Sequence, residues 1–120
     1  MLNLDTHVIL HALTDRLTAR ERDVLSHDAW SMSAICLWEI VKLKQLRRID
    51  IDLEDADVTR TLAKIHVWPI TLAICRTIPA LDFKSDPADE LIAATSIVEG
   101  APLVTRDRQI RRSKVVPFAL

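Results

Sequence analysis

Glycine is almost missing from this chain: Gly100 is the only one in 120 residues. Phosphate-cradling glycine loops, of both the dinucleotide-binding and the Walker A type, need several glycines for close backbone approach, so both are excluded. A Gly-x-Ser-x-Gly nucleophile elbow cannot be built either, and Ser-His-Asp hydrolysis on that framework goes with it. Tyrosine is absent and aromatics make up 4% of the chain. Trp30, Trp38 and Trp68 are scattered among apolar neighbours, which suits core or interface anchors better than an array of base-stacking platforms. Cys36 and Cys75 are the only cysteines. Each lies in an apolar stretch outside any Cys-x-x-Cys pair, so both are expected to be reduced core residues of a cytoplasmic protein. No apolar run approaches the ~18 residues of a membrane span. The opening MLNLDTHVIL lacks a basic n-region and is interrupted by Asp5, so no signal peptide is expected.

Neither sign of charge dominates: 16 Lys+Arg face 17 Asp+Glu, a net charge of −1. The balance hides two basic clusters, Lys42, Lys44, Arg47 and Arg48 in one, and Arg106, Arg108, Arg111, Arg112 and Lys114 in the other. Such local patches, rather than the total, are what a polyanion meets. With 49% apolar and 28% charged residues, the composition is that of a globular chain with a real core. Its length predicts one domain over residues 1–120.

Short apolar runs alternate with amphipathic stretches throughout, an α/β pattern. Strands are expected at Met1 to Leu4, Trp30 to Ser33, Val67 to Ile70 (weakened by Pro69), Pro102 to Thr105 and Val115 to Phe118. Helices are expected over Thr6 to Leu13, Thr18 to His27, Ala34 to about Leu46, Leu53 to His66, Thr71 to Pro79, Pro87 to Gly100 and Arg108 to Arg112. Thr18 with Glu21 has the spacing of a capping box, and Ser33 can cap the third helix. At the Pro87 helix, Asp86 is expected to cap, Pro87 to take the first position and Gly100 to end it in the left-handed conformation. Leu91, Ala94 and Val98 are expected as its buried stripe. Strands separated by helices imply a mainly parallel sheet of four to five strands with helices on both faces.

Ligands bind beyond the carboxyl ends of the strands in such sheets. Asp5 closes MLNLD, and Asp107 follows LVTR. Glu39 interrupts the otherwise apolar Ile35-Cys36-Leu37-Trp38-Glu39-Ile40-Val41, where an uncompensated carboxylate would cost several kcal/mol if buried. Asp89 lies in the first turn of the Pro87 helix, near Asp86. Four converging carboxylates repel one another, and a hard divalent cation is the usual remedy. Mg²⁺ or Mn²⁺ accepts such oxygen ligands and can activate water for attack on a phosphodiester. Read singly, Asp5 and Asp107 could be loop caps, Asp89 a helix-dipole partner, and Glu39 an ion-pair partner of Lys42 or Arg47. His7 and His11 have the i, i+4 spacing of a zinc face but lack the glutamate of HExxH, so they read as structural or surface histidines.

LDTHVIL around Asp5, LWEI around Glu39, DPADELIAATSIVEG around Asp89 and LVTRD ending at Asp107 resemble the four acidic motifs of PIN-domain nucleases, in particular the VapC toxins of toxin–antitoxin modules. The resemblance spans nearly the whole chain in order and spacing. It implies a metal-dependent ribonuclease with Mg²⁺ or Mn²⁺ at Asp5 and Asp89, and with Glu39 and Asp107 completing the site, Asp107 as a further metal ligand. Thr105 and Asp86 become supporting groups, and a small antitoxin protein the inhibitor. Three positions depart from the pattern. Glu90 stands where a basic residue is common, KLKQLRRI lacks the usual glycine after the Glu39 helix, and Asn3 interrupts an otherwise apolar strand.

RNA is the expected substrate, held through its backbone by Lys42, Lys44, Arg47, Arg48, Arg106, Arg108, Arg111 and Arg112. Helical segments near Trp30 to Val41 are the expected apolar surface for a homodimer partner and an antitoxin helix. The rival readings are a phosphoacceptor receiver-like signalling module, disfavoured by the single Asp5 after the first strand and the missing late lysine, and a catalytically silent PIN-like interaction protein.

Overall fold

The computed structural model describes residues 1–120. Four strands, β1 (Leu2–Leu4), β2 (Trp30–Ser33), β3 (His66–Trp68) and β4 (Leu103–Val104), form one sheet in the order β3-β2-β1-β4, and every pairing is parallel. The register sets Asn3 opposite both Ser31 and Leu103. Parallel neighbours need crossovers, which are α1 (Thr6–Leu13), α2 (Ala19–Leu25), α3 (Ala34–Gln45), α4 (Ala56–Ala63), α5 (Leu72–Thr77) and α6 (Pro87–Glu99). A last short helix, α7 (Arg108–Arg111), follows β4. β1 is buried at all three residues, as a strand covered on both faces must be.

The strand order reverses at β1. The chain steps outward through β2 to β3 and then returns across to β4 on the other side of β1, so the carboxyl ends of β1 and β4 flank a topological switch point. Leu4, Val8, Ile9, Met32, Cys36, Ile40, Ile92, Leu103 and Ile110 pack the core beneath it.

Local signals decide the helix ends. The Thr18–Glu21 capping box is complete, with Glu21 N–H donating to Thr18 Oγ1 at 3.1 Å and Thr18 N–H to Glu21 Oε1 at 2.8 Å. The Ser33 hydroxyl accepts from Ile35 N–H at 3.3 Å. Gly100 ends α6 at φ 65°, as expected. The absent glycine after α3 is replaced by Arg47, which adopts φ 57° itself. Arg48 N–H then donates to Leu43 O at 2.9 Å and Arg47 N–H to Lys44 O at 3.0 Å, the two bonds of a Schellman ending.

Several expectations need correction. Asp86 occupies the cap position of α6 without a side-chain cap bond; its side chain, rather than turning to the N–H groups of Ala88 or Asp89, lines the cavities beside Glu39. The buried face of α6 is Ala88, Ile92, Ala93, Ala94, Thr95 and Ser96, whereas Val98 is exposed and Leu91 half-buried. α6 packs against β1, β2, α3 and α5 at once, so it buries a broad face turned one residue from the expected stripe. The fourth helix is much shorter than Leu53 to His66, capped by Asp55. His66 opens β3 rather than ending that helix, and Pro69, with no N–H, stops the strand after Trp68. Val115 to Phe118 forms a single bridge, Leu103 to Phe118, rather than a fifth strand. Cys36 is buried, but Cys75 is exposed, because the six-residue α5 turns Ile74 inward instead.

The Asn3 irregularity also finds its reason. Its fully buried side chain donates to Ile92 O at 3.1 Å and to Ser96 Oγ at 2.8 Å, tying β1 to α6.

Because Arg47 holds a left-handed conformation that a Cβ disfavours, Arg47→Gly is expected to stabilise the fold by about 1 kcal/mol, offset in part by the freer unfolded chain. Urea denaturation of the two proteins measures it, and a destabilised variant would show that the Arg47 side chain contributes contacts of greater worth.

Candidate active site

Asp5 follows β1 directly, and its N–H donates to Val104 O at 3.1 Å, extending the ladder to the sheet's edge. Its carboxylate caps α1, with Oδ1 accepting from Thr6 N–H at 2.8 Å. Oδ2 accepts the Thr105 hydroxyl at 2.6 Å, a contact across the switch point from the end of β4. Both oxygens are thereby oriented, and Asp5 is 6% exposed.

The Thr6 hydroxyl reaches the other way and donates to Glu39 Oε1 at 2.5 Å. Glu39 pairs with neither Lys42 nor Arg47. Lys42 donates instead to Gln45, and the α3 carboxylate turns toward Asp5. Asp89, on the first turn of α6, accepts the Ser85 hydroxyl through Oδ2 at 2.8 Å. Asp107 caps α7, with Oδ1 accepting from the N–H groups of Gln109 and Ile110 at 2.9 and 3.0 Å. Its own N–H donates to Thr105 Oγ1 at 3.1 Å. The single-residue readings were thus partly right, since Asp5 and Asp107 are indeed caps; the same residues also converge.

Asp5, Glu39, Asp86, Asp89 and Asp107 line one cleft of about 420 Å³ together with His7, His11 and Arg106, and no hydrophobic side chain contributes. Burial raises the carboxyls of Asp5, Glu39 and Asp89 above their ordinary values. The hydroxyl bonds from Thr105, Thr6 and Ser85 oppose the rise, and the acids push one another further up, Asp107 acting on Asp5 and Asp89, and Asp89 on Glu39. The adjoining cavity between α3 and α6, about 460 Å³, shares Glu39 and Asp86 with the cleft but is otherwise lined by Ile35, Trp38, Pro87, Ala88 and Leu91.

The donor set fits a hard divalent cation, because carboxylate oxygens predominate and their repulsion leaves net negative charge to be neutralised. No three acidic or histidine side chains close around a common point, so an ion bound to this arrangement would complete its shell with water. His7 and His11, expected as structural or surface side chains, stand in the wall of this cleft. The i, i+4 spacing that put them on one helix face was the signal.

The basic residues are not all alike. Arg106 does not stand free but donates Nε to Glu21 Oε2 at 2.8 Å and Nη2 to Glu21 Oε1 at 2.6 Å. Arg111 Nη1 donates to Thr105 O at 3.2 Å. Arg108 and Arg112, on and just after α7, are exposed, as are Arg47 and Arg48 beyond the end of α3. Lys42 and Lys44 lie in the last turn of α3.

Raised carboxyls carry a stability consequence. A carboxyl whose folded value exceeds its unfolded one favours folding at low pH, and that contribution is lost as pH rises through the folded value. Asp89→Asn, without divalent cations, is therefore expected to melt higher than the native chain at pH 7.5, with the advantage shrinking toward pH 4. Thermal denaturation across that range tests it; an advantage independent of pH would sever the link to charge.

A family model described as PIN domain matches residues 3–115. Ribonuclease VapC22 of Mycobacterium tuberculosis is 34% identical over 114 residues, covering 90% of this chain and 88% of that protein. Among solved structures, a toxin–antitoxin complex from Klebsiella pneumoniae has a chain that aligns with a TM-score of 0.74 at 17% identity, over 100% of this chain and 98% of its own. VapBC2 from Rickettsia felis, bound to a DNA fragment from its promoter, aligns at 0.74 and 16% identity over 98% and 97%. FitAcB from Neisseria gonorrhoeae aligns at 0.66 and 22% over 98% and 96%. These likenesses carry the fold, and the receiver-like alternative falls with them. The four acids at one sheet edge, the matched residues 3–115 and the VapC relative agree: the chain belongs to the PIN-domain family.

Proposed function

We propose that the protein is a Mg²⁺- or Mn²⁺-dependent endoribonuclease and the toxin of a toxin–antitoxin pair. The observation that carries the reading is the gathering of Asp5, Glu39, Asp89 and Asp107 into one polar cleft at the switch point. Kinship supports it, since a relative covering most of the chain is a ribonuclease by name. The solved neighbours include a chain of a toxin–antitoxin complex.

Asp5 and Asp89 would hold the cation, with Asp107 as a further ligand and Glu39 orienting water. Such an ion, when bound, lowers the pKa of water and offsets charge developing on a phosphate. The remaining work falls to the chain's own groups. Thr105 and Thr6 fix the Asp5 carboxylate by one bond to each oxygen. Glu39 keeps Oε2 clear of the Thr6 bond that occupies Oε1, and Asp107 keeps Oδ2 clear of its helix cap. Each therefore has a lone oxygen with which to orient a water or accept its proton. Asp86 adds negative charge at the rim. Arg108 and Arg112 on and just after α7, with Lys42 and Lys44 in the last turn of α3 and Arg47 and Arg48 beyond its end, would attract the RNA backbone, a contact weakened by salt.

The partner surface lies on α3. Trp38 is 58% exposed and Val41 54%, with Leu37 on the same helix, an exposed apolar patch of the kind that marks an interaction surface. A homodimer partner and an amphipathic antitoxin helix are the occupants we assign to it. A basic antitoxin side chain entering the cleft would replace the cation's charge.

Cleavage of structured RNA tests the activity. Asp5→Asn and Asp89→Asn are each expected to lower the rate by more than the about 10–100-fold that loss of an outer-shell partner costs, and EDTA to abolish cleavage. Cleavage that persists in EDTA, or in Asp89→Asn, would overturn the mechanism. Growth arrest on expression is expected to vanish with Asp5→Asn; arrest by a folded inactive variant would refute the toxin assignment.

A further inference from the structure

Glu21 plays no part in the chemistry derived above, yet it is one of the few buried carboxylates in the chain, 4% exposed. It sits in the first turn of α2, the element that leads away from the cleft toward β2. Its oxygens are fully engaged. Oε1 accepts from Thr18 N–H at 2.8 Å and Arg106 Nη2 at 2.6 Å, and Oε2 from Arg106 Nε at 2.8 Å. Arg106 Nη2 also donates to Arg16 O at 3.1 Å, beside the left-handed Asp15 that ends α1. A side chain at the end of β4 is thus pinned to the α1–α2 connection by a planar two-bond fork.

The place of Arg106 in the sequence gives the fork its meaning. Thr105 precedes it and donates its hydroxyl to Asp5 Oδ2 at 2.6 Å. Asp107 follows it and donates its N–H back to Thr105 Oγ1 at 3.1 Å. The three-residue turn Thr105-Arg106-Asp107 therefore presents the hydroxyl that orients Asp5 on one side of the pinned residue and a cleft carboxylate on the other. β4 contributes only two residues to the sheet, too little strand to fix the turn by itself. Arg111 Nη1 braces the same turn from behind through Thr105 O.

We infer that Glu21, acting through Arg106, is a positioning residue that holds the Thr105–Asp107 turn in register with Asp5, so that the acid cluster is set for its cation. The inference rests on the metal-site reading given above. Arg106 is then a strut rather than a contact to the RNA backbone. The fork needs guanidinium geometry, because an ammonium is a point charge and cannot make two parallel bonds to one carboxylate. The pairing also holds the Glu21 carboxyl down to about 2, so the strut is intact across the whole neutral range.

The test compares the native chain with Glu21→Gln, Arg106→Lys and a control, Arg60→Gln, which breaks an exposed ion pair with Asp57 far from the turn. Mn²⁺ affinity is measured by titration calorimetry on proteins shown to be folded at the working temperature. Glu21→Gln and Arg106→Lys are each expected to weaken Mn²⁺ binding about tenfold or more, with Arg60→Gln unchanged. Without metal, hydrogen exchange at the Asp107 N–H should accelerate in the same two variants. For cleavage, kcat is expected to fall with KM for RNA nearly constant.

Native Mn²⁺ affinity and Asp107 protection retained in Glu21→Gln would overturn the positioning role. So would a raised KM and a salt dependence of RNA binding smaller by about one unit of slope in Arg106→Gln, which removes the charge that Arg106→Lys keeps, the mark of a lost phosphate contact. A double Glu21→Gln/Arg106→Gln protein that regains native affinity would also overturn it, since the strut would then be dispensable. If the native chain itself bound no Mn²⁺, the metal-site reading would fall and this inference with it, an outcome separable from failure of the variants alone.

Discussion

Like charges held close together in a partly buried cleft are the constraint around which this molecule is arranged. Asp5, Glu39 and Asp89 are each shifted toward the protonated form by burial, and Asp5 adds to the burden on Glu39 and Asp89, as Asp89 does to that on Glu39. Nothing in the core requires carboxylates there. The arrangement is maintained against that cost by the rest of the fold, and the divalent cation we propose would turn the repulsion into attraction.

Holding the cluster takes hydroxyls rather than cations. Thr6, Thr105 and Ser85 each donate to one carboxylate oxygen, which orients the acids without neutralising them as a lysine would. The one guanidinium in the cleft wall is drawn aside by Glu21. The strand order does the rest: because that order reverses at β1, the ends of β1 and β4 are neighbours although Asp5 and Thr105 are 100 residues apart in sequence. Asn3, tying β1 to the helix that carries Asp89, fixes the third side.

Much of this was legible in the sequence because it is written in local chemistry. The caps at Thr18 and Ser33, the Pro87 start and Gly100 stop of α6, and acids closing apolar strands are short-range signals. The four motifs made the family readable as well. What escaped depended on tertiary context. The buried face of α6 could not be read from periodicity, since both β1 and β2 and the helices α3 and α5 cover it at once. Asp86 had the right type and place for a cap and points elsewhere, and Cys75 sits in an apolar run on a helix too short to bury it. Arg106 looked like one member of a basic cluster. Its partner Glu21 was read only as a capping residue, and only the fold shows that it serves both Thr18 and Arg106. In the same way, the spacing of His7 and His11 placed them on one face of a helix without saying that this face is the cleft wall.

The most direct test of the cation-stabilised carboxylate cluster is anomalous diffraction from crystals grown with Mn²⁺. The account predicts a manganese peak in the cleft, liganded by Asp5 and Asp89 with waters completing its shell. Density at full Mn²⁺ loading that lies elsewhere on the surface, with the four acids left unliganded, would contradict it.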